Sequence, residues 1–121
     1  MSELRLPAIP LVGPIALKRR LDAGEDLALL DVREASEREL VAIPPPPAGA
    51  DLFVPLGEVP ARLEEIRAAV GGRPLVVYCH HGIRSLIAGR WLATQGLAPV
   101  ENLDGGVDAY AVEADRTLPR Y

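Results

Sequence analysis

A single cysteine, Cys79, stands among 121 residues, so no disulfide can close within the chain. The sequence predicts a free thiol in a reducing compartment, the cytoplasm by default. No apolar run approaches the ~20 residues that cross a bilayer, which argues against a membrane role. The opening MSELRLPAIPLVGP has an early acid and interrupting prolines, not the basic start and unbroken apolar stretch of a signal peptide. Positive charge is not in excess either: the formal net charge is −4, which speaks against a general nucleic-acid surface. Lysine is nearly absent, one residue against twelve arginines, and asparagine and glutamine occur once each. Few amides and twelve prolines fit a heat-adapted source, and a GC-rich genome gives the same bias, so this scarcity excludes no function.

What is there suits one domain over residues 1–121, with 49% hydrophobic and 25% charged residues. Gly13 and Pro14 followed by IALKRRLDAG read as a helix start, with Ile15, Leu17 and Leu21 as its apolar side and Gly24 as its stop. LALLDV (27–32) has strand length, and EASERELV behind it favours a helix. Four prolines, Pro44 to Pro47, cannot donate to a ladder and predict a stiff extended loop. DLFVPL is a second short strand, and ARLEEIRAAV places Leu63, Ile66 and Val70 at helical spacing. PLVVYC is the strongest strand signal, apolar throughout as a strand buried on both faces should be. RSLIAGRWLATQG reads as a helix with Ile87, Trp91 and Leu92 in the core. APVENLDGG gives a last strand and a Gly105–Gly106 turn, and VDAYAVEA a last helix. Strands alternating with helices predict an α/β fold: a mostly parallel sheet flanked by helices on both faces.

In such sheets ligands sit beyond the carboxyl ends of the strands, and Cys79 lies at that end of the most buried strand. The segment CHHGIRS (79–85) holds the cysteine and both histidines. Gly82 opens backbone angles closed to other residues, and a helix starts near Arg84. Such a loop turns successive amides inward, an anion nest before a helix N-terminus. A thiol at its mouth is favoured as the thiolate, and Arg84 adds a permanent charge with a planar donor fork. The alternative of a simply buried cysteine fits poorly beside these polar neighbours. A metal site fits worse: neighbouring side chains in a tight loop tend to diverge, and no second cysteine or further histidine completes a tetrahedron. The sequence therefore predicts no metal and no organic cofactor, with His80 and His81 contributing mainly their amides.

CHHGIRS, after VVY and before an apolar helix, resembles the active-site loop of rhodanese-like domains, the sulfurtransferase family. LLDVRE (29–34) is similar to the family's Asp-x-Arg strand, and WLATQGLAPVENLDGGVDAY (91–110) to its helix, short strand, Gly-Gly turn and closing helix. The resemblance covers about residues 14–118, and the closing LPRY resembles tails of modules attached to adenylyltransferases that activate sulfur carriers. AIPPPPAGA departs from the family's His-Ile-Pro-Gly-Ala segment, which puts that loop's shape and its partners in question.

The resemblance implies a Cys79 nucleophile that takes a sulfane sulfur from thiosulfate or a persulfide donor. His80, His81, Gly82, Ile83, Arg84 and Ser85 form the cradle, and Asp31 and Arg33 support it from behind. The acceptor is cyanide in the test tube, or a thiol or sulfur-carrier protein in the cell. Two alternatives stay open. One is a relay or regulatory module with little turnover of free thiosulfate. The other is a cysteine phosphatase or arsenate reductase, whose loops carry five residues between cysteine and arginine where this chain has four.

Overall fold

The computed structural model describes residues 6–97 and 99–121. The first five residues of the opening segment, and Ala98 ahead of the last strand, lie outside the described residues. Five strands pair in one wholly parallel sheet: β1 (Leu11–Val12), β2 (Ala28–Asp31), β3 (Ala50–Phe53), β4 (Leu75–Tyr78) and β5 (Val100–Leu103), in the order β1-β5-β4-β2-β3. PLVVYC thus supplies the central strand. It lies between β2, with Tyr78 opposite Asp31, and β5, with Val77 opposite Asn102.

All four residues of β2 and all four of β4 are buried, because helices cover both faces. The strand period of two divides them between two cores. Ala28, Leu30, Leu75 and Val77 pack with Ile66 and Val70 of α3 (Leu63–Val70) and with Ala88 and Leu92 of α4 (Ile83–Thr94). Leu29, Val76 and Tyr78 pack on the other face with Leu17 and Leu21 of α1 (Pro14–Asp22) and with Val107 and Tyr110 of α5 (Gly106–Glu113). The remaining helix, α2 (Ala35–Leu40), buries no residue and is held at its start by a reciprocal capping box between Glu34 and Glu37.

Several expectations need correction. Ile15 and Ile87 are exposed, and Trp91 is only partly buried. β1 was not foreseen: two residues carry no period, and the strand exists only because β5 pairs with it. The proline loop buries Pro46, while Pro44, Pro45 and Pro47 line a hollow of about 120 Å³ with Lys18, Asp22, Tyr110 and Asp115. It delivers the chain to Gly49, whose backbone passes so close to the Leu27 carbonyl that a Cβ would overlap it. From there Ala50 donates to that carbonyl at 3.1 Å and β3 begins.

Where β2 ends, Asp31 and Arg33 are both fully buried. Arg33 Nε and Nη2 donate to the two oxygens of Asp31 at 2.9 and 2.8 Å, and Nη2 also donates to the Val41 carbonyl at 2.6 Å. Arg38 adds a second guanidinium to Asp31 at 3.1 Å and reaches Asp51 of β3 at 3.0 Å. A buried charge survives only when paired and hydrogen-bonded, and here every member is. Asp31→Ala strands Arg33 in the core and should lower stability by about 3–5 kcal/mol in chemical denaturation. Replacing Asp31 and Arg33 together with apolar residues should cost less than the two single changes added.

Candidate active site

Beyond Tyr78 the central strand stops, and the chain turns through His80 and His81 into α4. Gly82 makes the turn at φ +101°, in the left-handed region, and is the N-cap of α4. Having no side chain, it cannot satisfy the helix's first amides. The cysteine sulfur does so instead. Cys79 Sγ accepts from the Gly82 amide at 3.1 Å, the Ser85 amide at 3.4 Å and the Ser85 hydroxyl at 3.3 Å. Three donors converging on one sulfur at a helix N-terminus make a cradle for negative charge. Cys79 is only 1% exposed, so the thiol forms the floor of the cradle and not its mouth.

The rest of the loop is clamped from the next strand and the last helix. The Cys79 and His80 carbonyls accept from the Val107 and Asp108 amides, in the first turn of α5, at 2.9 and 3.1 Å. That approach requires Gly106, because a Cβ there would collide with both carbonyls. The pair Gly105–Gly106, read from sequence as a plain turn, is therefore the seat of the loop. Asn102 of β5, 3% exposed, donates through Nδ2 to the Gly82 carbonyl at 3.0 Å and accepts from the Ser85 hydroxyl through Oδ1. The serine has one proton for two acceptors, the sulfur and the amide oxygen, so Asn102 takes part in how charge on Cys79 is met. Sequence reasoning passed over Asn102; its being the chain's only asparagine, within a short strand, was the available signal.

Arg84 sits at the mouth, with Nη1 and Nη2 donating to the two oxygens of Glu37 at 2.7 and 2.8 Å. The Arg84 guanidinium, expected from the sequence to add its charge to the loop, is thus engaged by α2. Glu37 also accepts from the Glu34 amide at 2.9 Å and the Tyr121 hydroxyl at 3.0 Å. The Arg84 hydrogen bonds, foremost, hold the Glu37 carboxyl down at about 2, against the opposing effect of burial. Tyr121 accepts in turn from Arg33 Nη1 at 3.0 Å. Asp31 and Arg33 therefore reach the loop indirectly, through Tyr121 and Glu37 to Arg84. Neither Glu37 nor Tyr121 was singled out from the sequence.

The two histidines do not diverge as expected. Their rings stack with centroids 3.9 Å apart, and Tyr121 stacks on the far side of His80, also at 3.9 Å. Burial, and next to it the neighbouring His81, push the His80 imidazole down from its usual range, and its Nε2 is buried without a partner. His80, His81 and Asp108 bring ligand atoms within 4.8 Å of one another. Near-parallel rings, 18° apart, direct their in-plane lone pairs side by side, however, and Asp108 is already paired with Arg120 at 2.8 Å. Such a set does not fit a metal ion.

Comparison with known proteins accords with this geometry. The family model for the rhodanese-like domain matches residues 14–113. The Bacillus subtilis protein YrkF, provisionally named a sulfur carrier protein, is 35% identical over 106 residues, 88% of this chain and 53% of that protein. This chain thus spans about half that relative's length. A sulfurtransferase of Allochromatium vinosum is 36% identical over 96 residues, covering 79% of this chain and 82% of that one. Among solved structures, a rhodanese-like domain protein of Staphylococcus aureus superposes with a TM-score of 0.72 at 20% identity, over 93% of this chain and 99% of that one.

Two measurements check the site. Asn102→Ala leaves the Ser85 hydroxyl and the Gly82 carbonyl without their buried partner and should cost about 1–3 kcal/mol in denaturant unfolding. Glu37 has its folded pKa lowered from 4.5 to about 2, so its ion pair stabilises the fold above the ordinary carboxyl range. That contribution is lost as pH falls from 4.5 to about 2. The difference in thermal midpoint between wild type and Glu37→Gln should therefore shrink across that window and stay constant at neutral pH.

Proposed function

This chain belongs to the rhodanese-like domain family, and we infer that it is a sulfurtransferase whose carrier is a persulfide on Cys79. The observation that carries the reading is the sulfur at the floor of the loop, met by the Gly82 amide, the Ser85 amide and the Ser85 hydroxyl. The Cys79 thiolate attacks the outer sulfur of a sulfane donor. A bond forms from Sγ to that sulfur, and its bond to the donor breaks. The electron pair leaves with the donor, as sulfite from thiosulfate or as a thiolate from a persulfide. A thiophilic acceptor, cyanide in the assay or a thiol in the cell, then takes the outer sulfur and restores the thiolate. The loop's donors stabilise the sulfur anion at both stages, as an oxyanion hole would, and no redox partner or metal enters the balance.

One further feature supports this reading. Four residues separate Cys79 from Arg84, a tighter ring than the five-residue loops that enclose phosphate or arsenate. No helix among the described residues is long and apolar enough to cross a membrane. A reducing cytoplasm, which keeps a lone thiol free, is the compartment we propose.

Steady-state transfer of sulfur from thiosulfate to cyanide tests the proposal. Parallel double-reciprocal lines are expected for a covalent double displacement, and Cys79→Ser should abolish turnover while leaving the melting temperature close to wild type. Ser85→Ala should lower kcat by about 10- to 100-fold, since it removes one donor to the sulfur. Full activity in Cys79→Ser would end the proposal.

A further inference from the structure

Several charged side chains near the loop, among the described residues, come in pairs. Arg84 is paired with Glu37, Arg120 with Asp108, Arg33 with Asp31, and Arg38 with Asp31 and Asp51. Of these, the first pair belongs to the loop itself: Arg84 lies in the first turn of α4 beside Ser85, whose amide and hydroxyl donate to the sulfur, and its charge is coupled to that of Cys79. The geometry points to Glu37 as a specificity-determining residue, one that turns the site away from thiosulfate and toward sulfane sulfur carried on an organic thiol.

Glu37 is unusually well held for a carboxylate at a surface. Its Oε2 accepts from Arg84 and from the Glu34 amide, and its Oε1 from Arg84 and Tyr121. Both oxygens are saturated, and the donor fork of Arg84 is occupied on both arms. A thiosulfate dianion must either displace this pair or enter beside a fixed negative charge, and both raise the energy of the bound donor. An organic persulfide meets a lower barrier, because its reacting group brings at most one negative charge, on the sulfur that the loop itself cradles. Its stem also finds suitable ground. Ile83, 72% exposed, stands within the loop at the start of α4 and offers that stem an apolar contact.

This inference rests on the sulfurtransferase reading and specifies its donor. In the loading step Cys79–S⁻ reacts with R–S–SH to give Cys79–S–SH and R–S⁻. The Sγ–S bond forms as the S–S bond of the donor breaks, the proton stays on the transferred sulfur, and the electron pair leaves on R–S⁻. Tyr121 belongs to the same device, since its hydroxyl fixes one Glu37 oxygen.

Single-turnover loading of Cys79, followed by intact mass, tests it with thiosulfate and with cysteine persulfide as donors. Wild type should load faster from the persulfide. Glu37→Gln keeps the side chain's shape and removes its charge, and should raise the thiosulfate rate constant about tenfold, moving the thiosulfate-to-persulfide ratio by a similar factor. Tyr121→Phe should move the ratio in the same direction by about twofold, and it decides the matter if Glu37→Gln fails to fold. A ratio unmoved in folded variants, or a wild type that prefers thiosulfate, overturns the role of Glu37 and leaves sulfur transfer standing. A wild type that loads from neither donor overturns the sulfur-transfer reading itself.

Discussion

The site depends on a helix that begins without a capping side chain. Gly82 is needed for its backbone angle, and it leaves the Ser85 amide of α4 without the oxygen that serine, threonine or aspartate would supply at an N-cap. Cys79 Sγ fills that vacancy from the end of the neighbouring strand. The same bonds therefore secure the start of α4 and present a sulfur to converging donors, so fold and chemistry share one requirement. A serine at position 79 could cap the helix equally well, which is why losing the chemistry need not mean losing the fold.

Everything around the loop keeps that sulfur in register. The central position of β4 buries its length and releases the chain only at Tyr78. β5 brings Asn102 under the loop, and the amides at the start of α5 take the carbonyls of Cys79 and His80. With its carbonyls drawn outward by α5 and by Asn102, the loop can turn the Gly82 and Ser85 amides inward. From the other side a relay of bonds runs from the buried Asp31–Arg33 pair through Tyr121 to Glu37 and Arg84. Buried ion pairs contribute little net stability, and a role in holding Glu37 against Arg84 gives this one a reason to exist.

Much of this was legible in the sequence because it was local. Alternating strands and helices, the fully apolar run into Cys79 and the glycine three residues on all follow from short-range patterns, and they put the cysteine at the right end of the right strand. What the sequence concealed was long-range. Asn102 meets Gly82 only because β5 pairs with β4, and Tyr121 meets Glu37 only after the whole chain has wrapped round. Leu11 and Val12 form a strand on the strength of a partner ninety positions away, which no local propensity encodes. The exposure of Ile15 and Ile87 has a related cause: helical spacing gives a face, but packing decides how much of it is covered. The histidine stack was missed because Tyr121, its third layer, comes from the far end of the chain.

The central claim, that Cys79 carries the transferred sulfur, is tested most directly by the intact mass of the protein after incubation with a sulfane donor and again after cyanide. Thiosulfate and an organic persulfide would each be used, on wild type and on Cys79→Ser. The account predicts a gain of one sulfur atom on wild type alone, removed by cyanide. A persistent absence of that gain with both donors, or an equal gain on Cys79→Ser, would contradict it.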